Sequence, residues 1–279
     1  MKTFATCMQC QIELGQPSFE VFIADYFDDG IVLIECSAGH KTALVMQSQK
    51  FEMLLDSGAM ALLEGFTLEA CASFSAALER FYEFSLRVAS FGFKIRDEVY
   101  DAMFSEMARQ SERQLGAFML LHALEFGSAY KPKRSITEFR NATIHKGVIP
   151  TVEEAHKFCS EVYETIYILF GMVRVKYTDS IHSVVREELG KRQAKVPNNM
   201  RVSTSAGGNL FCIPREPNPS SFSDALESFR KHREKLKAAI PEMMALRRAL
   251  QQGNARRPNA TGGDENSKKG DTEVAVTSK

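Results

Sequence analysis

Two groups of residues in this chain have types and spacings suited to chemistry. The first is Cys7-Met-Gln-Cys10, followed by Cys36-Ser-Ala-Gly-His40. This is C-x2-C with C-x3-H. Two thiolates from one knuckle, with a thiolate and an imidazole from the other, supply four tetrahedral ligands for zinc and leave no coordination position open to a substrate. The expectation is a structural zinc on Cys7, Cys10, Cys36 and His40. The competing reading is reduced, unliganded cysteines in a small β unit. Against it, residues 1–50 carry so few large side chains that they would bury little surface without a metal staple. Cys71, Cys159 and Cys212 lie in apolar contexts and read as core thiols.

The second group is Arg140-Asn141-Ala-Thr-Ile-His145. On a helix Asn141 and His145 share a face, and Arg140 sits beside it. Ile144 and Phe139 are expected to point into the core. Residues 131–147 hold Lys131, Lys133, Arg134, Arg140 and Lys146 against the single acid Glu138. Such a patch suits a phosphate backbone. A 2′-hydroxyl of RNA can attack its own phosphate without a metal, given a base, an acid and positive charge on the phosphorane. Histidine can take either proton role, and an arginine fork can neutralise two phosphate oxygens. Asn141 would orient the histidine or the phosphate. One chain supplies one such histidine for two proton transfers, so a homodimer is expected. The plainer reading is a helix C-terminus whose histidine meets the dipole and whose arginine is a surface charge.

The elements that must position these residues change character along the chain. Residues 1–50 read as β, with runs at Val21–Tyr26, Ile31–Glu35 and Thr42–Met46. Asp28-Asp29-Gly30 signals a hairpin between the first two. From Lys50 the periodicity is helical: Phe74, Ala77, Leu78, Phe81 and Ala89 recur at spacings of three and four or their multiples. Glu79, Glu83 and Arg87 form a stripe on another side and read as solvated charge. Helices are expected over 96–110 and 113–127. Ser135 and Glu138 fit a capping box that opens a short helix near 136–146, stopped by Gly147 and Pro150. Thr151 and Glu154 form a second box, opening a helix to about 190. Met200–Ile213 reads as a hairpin around Gly207-Gly208. Phe222, Leu226, Phe229, Leu236, Ile240, Met243 and Leu250 follow a seam that either packs on the chain's own core or pairs two chains, with a kink at Pro241.

A helical domain bearing Arg-Asn-x3-His, followed by Lys-Gly, Pro and an acidic helix start, resembles the HEPN family over about residues 65–190. The resemblance implies a metal-independent endoribonuclease site on Arg140, Asn141 and His145 at a dimer interface. It also implies a polar residue on the preceding long helix facing that site, which would be Glu79. Some members of the family only bind, and others serve as toxin or defence effectors. The fold expected is mainly α: a zinc ribbon over 1–50, a HEPN-like bundle over 51–195, a hairpin plus helix over 196–253 and a disordered tail over 254–279. RNA would be retained by Lys131, Lys133, Arg134 and Lys146. Zinc is the one cofactor expected, with no catalytic metal.

Composition narrows the alternatives. Lysines plus arginines number 35, as do aspartates plus glutamates, so no global field draws the chain to nucleic acid. No apolar run reaches roughly 18 residues, the length a membrane span needs. The N-terminus lacks the long apolar region of a signal peptide, and six dispersed cysteines fit a reducing cytoplasm. The chain has no G-x-x-x-x-G-K-[ST], G-x-G-x-x-G or G-x-S-x-G motif, and no acidic cluster for a two-metal nuclease. Two other readings stand beside the nuclease. One is a non-catalytic nucleic-acid-binding or sensor protein using the same basic helix. The other is a helical adaptor whose ribbon binds another protein.

Overall fold

A computed structural model describes residues 2–15, 20–205, 210–215 and 217–255. The chain is mainly helical, with a small sheet module formed largely by its N-terminal part. The first strand, β1 (Lys2–Thr6), leads into helix α1 (Met8–Leu14), then β2 (Val21–Asp25), β3 (Ile31–Glu35) and β4 (Lys41–Met46). β1 pairs antiparallel with β2, and β3 pairs antiparallel with β4 in a separate sheet. The hairpin expected between the second and third strands is therefore absent. Asp28-Asp29-Gly30 does turn the chain, with the Gly30 amide donating to the Phe27 carbonyl, but the turn passes from one sheet to the other. Helix α1 corrects the all-β reading of this segment. α1 exists because the Cys7 Sγ caps it, accepting from the Cys10 amide.

Helices α2 (Lys50–Leu63), α3 (Thr67–Gly92) and α7 (Val152–Gln193) make the core of the bundle, flanked by α4 (Asp97–Met107), α5 (Ser111–Phe126) and α6 (Arg134–Arg140). Phe51, Phe74, Phe81, Tyr163, Phe211 and Phe222 are fully buried together. Each ring contributes roughly 1.5–3 kcal/mol of transfer free energy. The contact of α2 with α3 depends on Gly58, where a Cβ would collide with the Phe74 ring. At the other end of α3, the Tyr177 ring lies against Gly92. Tyr177 is the one residue inside α7 with non-helical backbone angles, φ −130° and ψ 32°.

Strand β5 (Arg201–Ser205) pairs parallel with β4, Thr42 opposite Arg201 through Met46 opposite Ser205. That overturns the hairpin expected over Met200–Ile213. Its Gly207-Gly208 turn lies outside the described residues, and Leu210–Ile213 enters the helical core instead of forming a second strand. Arg192 at the end of α7 donates to the carbonyls of Met46 and Ser48, at 2.6 and 2.8 Å, and straps the sheet to the bundle.

Helix α8 (Phe222–Ala255) continues through Pro241. Phe222, Ala225 and Phe229 enter the chain's own core, while Leu236, Ile240 and Met243 stay half-buried. Arg247 reaches back to Glu20 at 3.1 Å. The tail expected from 254 onward lies outside the described residues, apart from the last turn of α8. No described helix is long and apolar enough to cross a membrane.

Candidate functional site

Cys7, Cys10, Cys36 and His40 come together as one cluster, their ligating atoms all within 4.8 Å of one another. Cys10 Sγ lies 3.6 Å from Cys36 Sγ and 3.3 Å from His40 Nδ1, and Cys7 Sγ lies 3.9 Å from His40 Nδ1. Donors held tetrahedrally at about 2.3 Å for sulfur and about 2.0 Å for nitrogen sit roughly 3.5–3.8 Å apart. The cluster therefore has the size of a metal site. The second knuckle turns where the Gly39 amide donates to the Cys36 carbonyl, at 2.8 Å, and the Cys36 amide donates to the His40 carbonyl. Gly39 has φ +79°, a conformation L side chains rarely adopt. His40 Nε2 lies 3.3 Å from Glu13 on α1. A carboxylate there fixes the ring with Nδ1 turned to the thiols, the arrangement common behind metal-bound imidazoles. Burial first, then the Cys36 and Cys7 thiols, push the Cys10 thiol up to about 12. A divalent cation relieves that conflict by binding thiolates. The quartet can hold a metal such as zinc.

The second constellation is built differently from an ordinary helix end. α6 begins at Arg134, and its N-cap Lys133 makes no side-chain cap bond. The capping box expected at Ser135 and Glu138 does not form, because each side chain is engaged elsewhere. The Ser135 hydroxyl donates to Glu161, and Glu138 pairs with Arg134 at 2.6 Å. After Arg140 the helix widens into a π turn over Asn141–His145. There the Lys146 amide donates to the Asn141 carbonyl, and the Val148 amide donates to the Ala142 carbonyl at 3.1 Å.

A turn closed from i to i+5 places residues five apart on one face, as an α-helix does for residues four apart. Arg140 and His145 are five apart. Arg140 is the last residue of α6 and His145 the last of the π turn. Thr143 is buried, and Phe139 stacks on Phe158 of α7 with ring centres 4.7 Å apart. Asn141 and His145 are exposed. Ile144, expected in the core, is 39% exposed.

Arg140 Nη2 donates to Glu79 Oε1 at 2.6 Å, with both side chains about three-quarters buried. Lys131, Lys133 and Lys146 are exposed and carry no ion pair among the described residues, whereas Arg134 is paired with Glu138. The solvated stripe expected of Glu79, Glu83 and Arg87 is not what forms. Arg87 is buried, donates to Asp97 and Glu187, and lies over the rings of Phe91 and Tyr100, 4.7 Å from each. Burial pushes the Glu83 carboxyl above the usual carboxylate range, against the nearby Arg80.

Two of the four remaining histidines pack locally, and His182 and His232 are exposed. His122 is buried among Phe118, Phe126 and Tyr130, with Nδ1 2.9 Å from the Ser128 carbonyl. His156 packs on Phe222. Cys71 and Cys159 are buried in the core, Cys212 only partly, and all six cysteines are free thiols. Comparison with models of known families, with curated proteins and with solved structures finds no match to this chain.

Proposed function

We propose that this chain is a HEPN-type, metal-independent endoribonuclease carrying a structural zinc module, and that it works as a homodimer in a reducing cytoplasm. The observation that carries the reading is the π turn after Arg140. In this reading the turn serves to present the exposed His145 near the mostly buried Arg140, and π turns are often found at functional sites. In this reading His145 moves a proton, Arg140 neutralises the phosphorane, and Asn141 orients the phosphate or the ring. Glu79 holds the guanidinium fork in place. The attacking 2′-oxygen forms a bond to phosphorus as the bond to the 5′-oxygen breaks. The 2′ proton leaves to one base, and the departing oxygen takes a proton from an acid. The products are a 2′,3′-cyclic phosphate and a 5′-hydroxyl. Lys131, Lys133, Arg134 and Lys146 would retain the backbone.

A second copy would supply the second histidine. Support comes from the apolar residues beside the motif: Val148, Ile149 and Val152 are 51%, 75% and 56% exposed. Such a patch is the kind of surface a partner covers. Zinc is the metal assigned to Cys7, Cys10, Cys36 and His40, because a closed Cys3His set of tetrahedral size is its preferred structural site.

One observation favours the non-catalytic reading, a protein that binds RNA through the same helix. The Glu79 carboxylate already occupies part of the Arg140 fork and offsets its charge. Incubating the purified protein with RNA separates the two. Cleavage lost in both His145→Ala and Arg140→Ala supports the nuclease. Retention of RNA that weakens in Arg140→Ala, with no cleavage by the wild type, supports the binder.

A further inference from the structure

A cavity of about 1060 Å³ opens where the sheet module meets the bundle. Its walls are the turn after β2, the start of α2, the middle of α3, α4 and the end of α7. No role proposed above uses it. One side is aromatic. Tyr100 and Phe104 of α4 stack at 5.5 Å with planes 9° apart, and Phe27, 74% exposed, stands at the rim. The floor is polar and incompletely satisfied. Gln49 and Arg87 are more than nine-tenths buried, yet Gln49 Nε2 and Arg87 Nη1 have no hydrogen-bond partner. Glu83 Oε2 also makes no hydrogen bond, although Arg80 Nη1 is 2.7 Å away.

Buried donors and acceptors normally find partners, and those that do not mark a place where something else supplies them. The other rim carries Lys50, Lys191, Arg192 and Lys195, interleaved with Asp28, Asp29 and Glu188. Lys50 and Lys191 are half-exposed; Lys50 holds a surface pair with Asp28, which costs little to exchange, and Lys191 pairs with the partly exposed Glu188 and the mostly buried Glu187. Lys195 is exposed and has no ion pair among the described residues. The N-terminus of α2 opens at Gln49 beside these residues, its first turn engaged by a capping box with the buried Glu52.

We propose that this cavity binds a nucleoside phosphate. The ring would lie against the aromatic wall. An amide and a carboxyl, Gln49 and Glu83, are the side chains suited to the donor and acceptor edge of a base. The phosphates would lie between Lys50, Lys191 and Lys195. The volume is at the upper end of small-molecule sites and leaves room for more than one nucleotide unit. The site is separate from Arg140 and His145, and the proposal stands whether or not that helix cleaves RNA.

The test is equilibrium dialysis of the full chain against the four ribonucleoside 5′-monophosphates and the four triphosphates. Adenosine serves as the ring-only probe and inorganic triphosphate as the charge-only probe. At least one nucleotide is expected to bind tenfold or more tightly than either partial probe. Phe27→Ala and Lys195→Ala alter exposed rim residues and leave the core intact, and each should weaken that binding about tenfold, a loss of one modest contact. Phe104→Ala should weaken it further. Binding should persist in the Arg140→Ala/His145→Ala double variant. No binding of any nucleotide at millimolar concentration overturns the proposal. So does binding that inorganic triphosphate matches, or binding lost in the double variant and untouched by the rim variants.

Discussion

Arg140 sits between two demands. In the proposed reaction it would face a phosphate, and it is held by Glu79 at 2.6 Å. If Glu79 positions the fork, Glu79→Ala should lower kcat roughly tenfold by loosening the geometry, while KM for RNA stays level or falls as a repulsive carboxylate is removed. An unchanged kcat would remove Glu79 from the site. At the metal cluster, Cys7→Ser should lose the single zinc found by elemental analysis of the wild type. Full retention of zinc in that variant would remove the assignment of Cys7 as a ligand. The cluster was legible in the sequence because each knuckle is local: C-x2-C and C-x3-H are spacings a short loop can close. The Arg140–Glu79 pair joins residues 61 apart, and Glu79 was named only through a family resemblance. The burial of Arg87 was not foreseen, since a charge on an amphipathic helix ordinarily faces water. Nothing local reveals that Tyr100 and Glu187 come to meet it.

At the scale of elements, two capping boxes were read from the same pattern, and only one forms. The Thr151 hydroxyl accepts from the Glu154 amide, and Glu154 accepts from the Thr151 amide. Thr151→Ala should therefore cost about 1 kcal/mol in denaturant unfolding. Ser135→Ala should stay within about 0.5 kcal/mol, as for an exposed site without a cap. A pattern of residue types cannot tell a cap from its imitation when a tertiary partner, here Glu161, competes for the serine.

Glu52 belongs to this scale because it joins two elements, accepting from the Gln49 and Ile213 amides. Burial raises its carboxyl to about 7. The folded state thus holds a proton that the unfolded chain releases above its ordinary value of 4.5. The stabilisation is present below about pH 4.5 and is lost as pH rises toward 7, on the order of 3 kcal/mol. Unfolding curves of the wild type and Glu52→Gln across that range should converge at the acid end and separate at neutral pH. Parallel curves would show that the carboxyl stays ionised. The parallel pairing of β5 with β4 was out of reach of a local reading. Arg201–Ser205 looks like half of a hairpin until the partner strand, some 160 residues earlier, is known.

For the whole molecule, the change from β to helix near Lys50 and the helices through Gln193 follow from periodicity. How the units lock does not, because single contacts such as Arg192 with Met46 and Ser48 decide it. The start of the α8 seam is spent within the chain: Phe222 and Phe229 are buried. Dimerisation should therefore depend on the apolar rim beside the motif. Ile149→Asp should give a monomer by sedimentation, whereas a chain ending at Lys235 should remain dimeric. The reverse result would move the interface to α8.

The account stands most directly on one measurement. Full-length protein is incubated with total RNA in a chelator too weak to strip the buried quartet, and the product ends are mapped. Cleavage leaving 2′,3′-cyclic phosphates, reduced about 10²–10⁴-fold or more in His145→Ala with an unchanged fold, is the predicted result. Cleavage undiminished in His145→Ala, or none by the wild type, would contradict it.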